Sequence, residues 1–263
     1  MKNIVTISAV VPIYNSQKTI AKCLESILSQ TENVNEIIIV DDGSVDRSVA
    51  IANEVLKSVH GIMIVLVEQE NAGPSAARNK GVSLATSSHI AFLDSDDIWS
   101  PDHIRNVKEF FQENDSFKIV ATKYLGAPIS YVGEIFLKKM LYKNYFLTPC
   151  VVLKKDVFFE VGGFNEEMSF AEDYFLWLSI ISNNRGYLLD YVGAANVDDK
   201  KVFGQNGLSS NLRLMHEGVL QCYKNLYSNK LINYKTYIKI IFFEKIKYLR
   251  RIIISCVVKN ELS

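Results

Sequence analysis

The chain has 263 residues, 48% of them hydrophobic, and its 29 basic side chains balance its 29 acidic ones. That length and apolar content support one large domain with room for an appendage, and the charge balance argues against a nucleic-acid partner. Cys23, Cys150, Cys222 and Cys256 lie far apart with no CxxC pair, which argues against a zinc site or a disulfide framework and fits a reducing compartment. The first six residues lack the apolar core of a signal peptide, and no run of ~18 uncharged apolar residues suits a membrane-spanning helix.

Residues 7–13 (ISAVVPI) are apolar and β-branched and predict a buried strand, with Pro12 marking where its pairing stops. Ser16 is placed to cap an amphipathic helix over 18–30, with Ile20, Cys23, Leu24, Ile27 and Leu28 at helical spacing. A second strand (EIIIV, 36–40) runs into Asp41-Asp42-Gly43-Ser44, and Asp46 is placed to cap the helix that follows. A third strand is expected over 62–67, a turn over 71–75 and a helix over 75–85. The strand Ile90-Ala91-Phe92-Leu93 then opens directly into Asp94-Ser95-Asp96-Asp97.

Strand and helix thus alternate over the first hundred or so residues, the pattern of a mostly parallel sheet covered by helices. No GxGxxG follows the first strand, so the dinucleotide-binding fingerprint is missing. Carboxylates recur instead at strand ends, where open α/β sheets place ligands. Three acids crowded over 94–97 call for a positive partner, and Mg²⁺ or Mn²⁺ with oxygen ligands is one answer. A turn with an acidic helix cap at Asp97 is the other.

Four segments carry a family resemblance: Val10-Val11-Pro12-Ile13-Tyr14-Asn15; Val40-Asp41-Asp42-Gly43-Ser44-Val45-Asp46; Asn71-Ala72-Gly73 with Ala77-Arg78-Asn79-Lys80-Gly81; and Asp94-Ser95-Asp96-Asp97. In order and spacing they resemble the family 2 glycosyltransferases of GT-A fold. The likeness continues more loosely through Val161-Gly162-Gly163-Phe164-Asn165-Glu166 and Ala171-Glu172-Asp173-Tyr174. It implies an α/β GT-A (Rossmann-like) fold and inverting transfer of a sugar from a UDP-sugar. It implies Pro12, Tyr14, Asp42, Arg78, Asp94 and Ser95 as nucleotide-sugar-binding residues. Tyr14 matches the aromatic against the base, Asp42 the acid that hydrogen-bonds it and Asp94 the acid near the ribose. Asp96 matches the ligand of Mn²⁺ or Mg²⁺, and Asp173 the general base. The chemistry agrees: a departing diphosphate gains negative charge that a cation offsets, and an acceptor hydroxyl needs one carboxylate to take its proton. Ser169 with Glu172 reads as a capping box, a division that agrees with Asp173 rather than Glu172 as the base.

Where relatives carry a His-containing segment after the base, residues 200–210 here have none; Lys200, Lys201 or Gln205 is the candidate to close on the diphosphate. The tail over 233–260 combines seven Lys and Arg with Glu244 and many aliphatic and aromatic residues. It reads as a basic amphipathic helix on a membrane surface, or as a helix packed on the catalytic domain.

These readings divide the chain into a GT-A domain over 1–210 and a helical, basic region over 211–263. Within the GT-A domain, residues 1–100 are expected to bind the donor and residues 101–210 the acceptor. The expected enzyme works peripherally on the cytoplasmic face of the inner membrane. Its expected acceptor is an undecaprenyl-diphosphate-linked saccharide in O-antigen or capsule assembly. The alternatives are a non-catalytic sugar-nucleotide-binding module on the same fold and a nucleotidyltransferase. The latter needs a basic glycine-rich loop where Tyr14-Asn15-Ser16-Gln17 stands.

Overall fold

The computed structural model describes residues 4–198 and 211–261; the loop with Lys200, Lys201 and Gln205 lies outside them. Along the chain run β1 (Ile7–Ile13), α1 (Ile20–Leu28), β2 (Glu36–Asp41), α2 (Ser48–Leu56), β3 (Met63–Glu68), α3 (Pro74–Leu84), β4 (His89–Phe92) and β5 (Asp97–Trp99). There follow α4 (His103–Glu113), β6 (Phe117–Tyr124), β7 (Gly133–Ile135), α5 (Leu137–Met140), β8 (Val151–Lys154), α6 (Lys155–Glu160), α7 (Glu172–Asn183), β9 (Arg185–Asn196), α8 (Leu212–Ser228) and α9 (Tyr234–Glu261).

The strands form one mixed sheet in the order β3-β2-β1-β4-β8-β6-β9-β5, with β7 also on β9. Neighbours from β3 to β4 are parallel, as the alternation of elements requires. The second half is mixed: β8 is antiparallel to both β4 and β6, and β6 is parallel to β9. Every residue of β1, β2 and β4 is buried, which is why those strands read as unbroken apolar runs. The chain leaves β1 for β2 on one side and returns as β4 on the other, so the switch point lies between β1 and β4. Ligands of open α/β sheets collect beyond the carboxyl ends of the strands at that point.

Three local expectations are corrected. Pairing does not stop at Pro12, because β1 stays in register with β2 through Ile13. It stops only on the β4 side, after the Leu93 N–H reaches the Val10 carbonyl at 3.1 Å. Pro12 shares that side by the two-residue period and has no N–H to extend the ladder. Ser16 caps α1 with its backbone carbonyl, which accepts from Thr19 and Ile20, and its hydroxyl is directed to Ser95 instead. Asp97 caps no helix and begins β5, paired with Asn196 of β9. Asp46 does cap, accepting the Ser48 N–H at 2.9 Å.

Two glycines set close approaches. A Cβ on Gly81 of α3 would lie 2.5 Å from Val10 Cγ1, so α3 rests directly on β1. A Cβ on Gly218 of α8 would lie 2.5 Å from the Phe170 carbonyl oxygen. One turn further on, the Cys222 thiol reaches the Ala171 carbonyl at 3.3 Å. Ala171 itself is left-handed, with φ 59°. A left-handed non-glycine residue is held by its surroundings, and here α8 supplies them.

α9 packs on α8 through Ile240 and Glu244, both fully buried. Glu244 turns inward to Lys247 (2.9 Å), Arg251 (3.3 Å) and His216 (3.6 Å). The opposite face exposes Ile238, Phe242, Ile246, Leu249 and Ile253. Both packing and an outward apolar face are therefore present, and the second is what composition alone left open. No helix among the described residues is long and apolar enough to cross a membrane.

Gly218→Ala forces a methyl against backbone and is expected to destabilise the chain by ~1–3 kcal/mol in urea denaturation; unchanged stability would contradict the α8 packing. Buried histidines give a second test. His103 is pushed down to about 3 by burial, and His89 to about 4 by burial and by Lys154. Below about 6.5 the unfolded chain takes up protons that the folded chain refuses, so stability falls as pH drops. Between pH 7.5 and pH 5 the loss is expected to be ~2 kcal/mol per histidine; an invariant urea midpoint would rule it out.

Candidate active site

The loop after β1 is zipped to the loop after β2. The Asn15 N–H donates to the Ser44 hydroxyl (2.9 Å), Val45 N–H to Asn15 Oδ1 (3.0 Å) and Ser16 N–H to the Ser48 hydroxyl (2.7 Å). Ser16 Oγ lies 2.7 Å from Ser95 Oγ, which ties the same loop to the end of β4. Tyr14 stands on this braced loop with 54% of its surface exposed, so it is not core packing.

Asp42, just past β2, is buried. Its Oδ1 accepts from Gln69 (2.8 Å) and the Ala72 N–H (2.9 Å), and its Oδ2 from the Gly73 N–H (2.8 Å). It therefore shapes the turn ahead of α3 and offers only remaining lone pairs to a ligand. Its neighbour Asp41 keeps Oδ1 buried without a hydrogen-bond partner, while Oδ2 accepts from the Ser44 N–H at 3.1 Å. In the sequence Asp41 stands out only as one acid of a pair; the unpartnered oxygen depends on the loop's path.

Arg78 is the junction of the site. From the first half of α3 its Nη2 donates to Asp94 Oδ1 at 2.6 Å, and Nη1 lies 3.6 Å from Glu172 Oε1. Its side chain is 8% exposed and sits over the Phe164 ring at 5.3 Å. Nε and Nη1 are buried without hydrogen-bond partners. The guanidinium thus faces protein carboxylates and does not open toward solvent. Next to it, Asn79 clamps the loop before α7: it donates to the Phe164 carbonyl (2.9 Å) and Glu166 (2.7 Å) and accepts from the Phe164 N–H (2.9 Å). The two adjacent residues hold the end of β4 and the start of α7 on one cleft.

At the start of α7 the expected capping box is absent: Ala171 is the cap residue and no side chain bonds there. Glu172 turns to Arg78 instead. Asp173 Oδ1 accepts the Tyr174 N–H at 2.6 Å and Oδ2 the Thr148 hydroxyl at 3.3 Å. Burial is the main cause of a raised Asp173 carboxyl, against the Tyr174 N–H, Arg78 and Thr148. Glu172 is pushed up to about 7 by burial and then by Asp173, with Arg78 opposing. The two titrate as a pair.

Among the acids after β4, Asp94 is half-buried on Arg78, Asp96 is exposed and Asp97 is buried. The Asp96 carbonyl accepts from the Val197 N–H at 2.9 Å, and Asp97 receives the Tyr124 hydroxyl. Burial first, then the Asp94 charge, pushes the Asp97 carboxyl up to about 8. Among the described residues no three His, Cys, Asp or Glu side chains gather to hold a metal ion by themselves. Mg²⁺ and Mn²⁺ sites completed by substrate phosphates use one or two carboxylates. An exposed Asp96, with Asp94 two residues before it in the same loop, fits that mode.

A family model for glycosyl transferase family 2 matches residues 8–163. The minor teichoic acid biosynthesis protein GgaA of Bacillus subtilis is 40% identical over 133 residues, covering 48% of this chain and 28% of GgaA. The glycosyltransferase GlyA of Streptococcus pneumoniae is 42% identical over 155 residues, covering 54% of this chain and 22% of GlyA. The chain thus spans less than a third of the length of these relatives. WfgD of Escherichia coli, a UDP-Glc:alpha-D-GlcNAc-diphosphoundecaprenol beta-1,3-glucosyltransferase, is 28% identical over 212 residues, 78% of this chain and 80% of WfgD. Among solved structures, Staphylococcus aureus TarS 1–349 in complex with UDP-GlcNAc superposes with TM-score 0.71 at 21% identity, covering 90% of this chain and 70% of that one. The mannosyltransferase PcManGT from Pyrobaculum calidifontis, in complex with GDP-Man and Mn²⁺, gives 0.71 at 17%, covering 92% and 69%. At such identities the likeness is one of fold. The family match takes in more than half of the 263 residues, including the loops after β1, β2 and β4, and the chain belongs to glycosyl transferase family 2.

Proposed function

We propose that this chain transfers a sugar from a UDP-sugar to a lipid-linked saccharide, with inversion at the anomeric carbon, in bacterial surface-polysaccharide assembly. The observation that carries the reading is the Arg78 bridge, which draws Asp94 and the Glu172–Asp173 pair to one cleft. The UDP donor is supported by the TarS complex with UDP-GlcNAc and by WfgD's UDP-Glc. WfgD's diphosphoundecaprenol acceptor supports a lipid-linked one here. On this reading residues 1–100 hold the donor, 101–210 the acceptor and 211–263 the membrane.

The exposed Tyr14 ring lies against the base, and Asp42 accepts the uracil N–H with a lone pair that its turn contacts leave free. Pro12 ends the ladder that would otherwise occupy the donor's side of the switch point. Asp94 and Ser95 take the ribose, and Arg78 acts on the donor through Asp94, since its guanidinium is buried. A divalent cation, Mn²⁺ or Mg²⁺, held by Asp96 and the diphosphate would offset the charge of the departing UDP. Asp173 accepts the proton of the acceptor hydroxyl. That oxygen bonds to the anomeric carbon as the bond to the β-phosphate breaks, and the electron pair leaves with UDP. Burial raises the proton affinity of the Glu172–Asp173 pair, which suits it to act as a base near neutral pH.

Asp173→Asn is expected to lower transfer by about 10²–10⁴-fold with UDP binding retained in calorimetry; full turnover would refute the base. Because the base works deprotonated and burial raises it, kcat/KM is expected to rise with pH to a midpoint above the ordinary carboxylate range; a profile flat from pH 5 upward would contradict the raised base. Chelation of divalent cations should stop transfer, and undiminished turnover in EDTA removes the metal.

We place the protein peripherally on the cytoplasmic face of the inner membrane, through the outward stripe of α9. Lys235, Lys239, Lys245 and Arg250 are exposed along that helix, and Glu244 among them is turned inward. Anionic headgroups attract each such cation by about 1 kcal/mol. Phe242→Ser with Leu249→Ser is expected to abolish sedimentation with phosphatidylglycerol vesicles; undiminished sedimentation would remove the bilayer from the reading.

A further inference from the structure

The segment between β7 and β8 crosses from α9 to the catalytic carboxylates. Tyr174, next to Asp173, donates its hydroxyl to the Met140 carbonyl at the end of α5. Tyr223 of α8 donates to the Leu141 carbonyl at 2.8 Å. The segment ends at Thr148, which donates to Asp173. On its other side the Tyr142 ring meets Phe243 of α9 edge-on at 4.9 Å, and Lys247 of α9 donates to the Tyr142 carbonyl at 3.3 Å.

This bridge is cationic. Between residues 125 and 147 its basic side chains are Lys138, Lys139 and Lys143, and its acid is Glu134. Glu134 is already taken by Arg185, through contacts of 2.8 and 3.0 Å. Among the described residues no carboxylate pairs with Lys138, Lys139, Lys143 or Lys239. Aromatic faces hold three of them instead: Lys139 Nζ lies 3.1 Å from the Tyr131 centroid, Lys143 Nζ 5.7 Å from Tyr145 and Lys239 Nζ 6.0 Å from Tyr142. Lys143 also donates to the Pro128 carbonyl at 2.5 Å. A ring face or a neutral carbonyl orients an ammonium without cancelling its charge. Glu244 of α9 is already taken by Lys247, Arg251 and His216.

We propose that Lys139 and Lys143, with Lys138 and Lys239 beside them, bind the diphosphate of the lipid-linked acceptor. The inference rests on the acceptor class proposed above. A lipid-diphosphate-saccharide has its anionic group between its sugar and its lipid, and the segment carrying these lysines runs from α9, at Phe243 and Lys247, to Asp173, at Thr148. Several ammonium groups suit a diphosphate of variable pose, as lysine acts on phosphate as a mobile point charge. Tyr131 and Tyr145, 5.9 Å apart edge-on, add an aromatic wall beside it.

The test uses the full chain, a UDP-sugar donor panel and two acceptors: GlcNAc-diphosphate on a phenoxyundecyl tail, and octyl GlcNAc without the diphosphate. Lys139→Ala with Lys143→Ala is expected to raise KM for the diphosphate acceptor roughly ten- to hundredfold. Donor KM, kcat and turnover of octyl GlcNAc should stay near wild type, and the double Arg variant should restore KM. An unchanged KM for the diphosphate acceptor overturns the proposal, as does an equal loss on both acceptors. A parallel loss of phosphatidylglycerol-vesicle sedimentation overturns it in favour of lipid headgroups. A wild-type chain that transfers to neither acceptor sinks the glycosyl-transfer reading itself, and the lysine site with it.

Discussion

One buried positive charge organises this site. Carboxylates from the end of β4 and from the start of α7 repel each other if brought together unaided. Arg78 lies between Asp94 and Glu172, and burial strengthens both attractions by keeping water away. Removing one partner of such a group leaves the remaining charges buried without compensation, the costly case for ion pairs in an interior. The cleft is therefore a property of the guanidinium as much as of the acids around it. Asn79 completes the junction by holding backbone where Arg78 holds charge.

The strands and the parallel half of the sheet are legible in the sequence because their signal is burial. β1, β2 and β4 are covered on both faces, so a continuous apolar run could mean little else. Helix caps are less legible, because a side chain suited to capping is equally suited to other hydrogen bonds. Ser16 binds across to Ser95, Glu172 answers Arg78, and only Asp46 does the local job. Asp97 misleads for a related reason: its partner, Asn196, is remote in the chain, and a three-residue edge strand leaves almost no pattern.

The candidate site is legible as a set of residue types at strand ends, but not as a division of labour. Spacing alone does not reveal that Asp42 is engaged by the turn over 71–73 while Asp41 keeps an unpartnered oxygen. Nor does it show that Arg78 is closed off from solvent. The C-terminal helix teaches the same lesson in reverse. Its composition suggests two competing roles, and the fold packs one face of α9 on α8 while leaving an apolar stripe exposed on the other.

Gly81 lies three residues beyond Arg78 on α3, on the neighbouring turn of the same helix face. Because it bears only hydrogen where α3 meets Val10, the helix backbone sits directly on the Val10 side chain. The height of the guanidinium above the strand ends follows from that seat. A methyl at Gly81 would act as a shim under the helix, tilting the reach of Arg78 away from both carboxylates without altering any residue of the cleft.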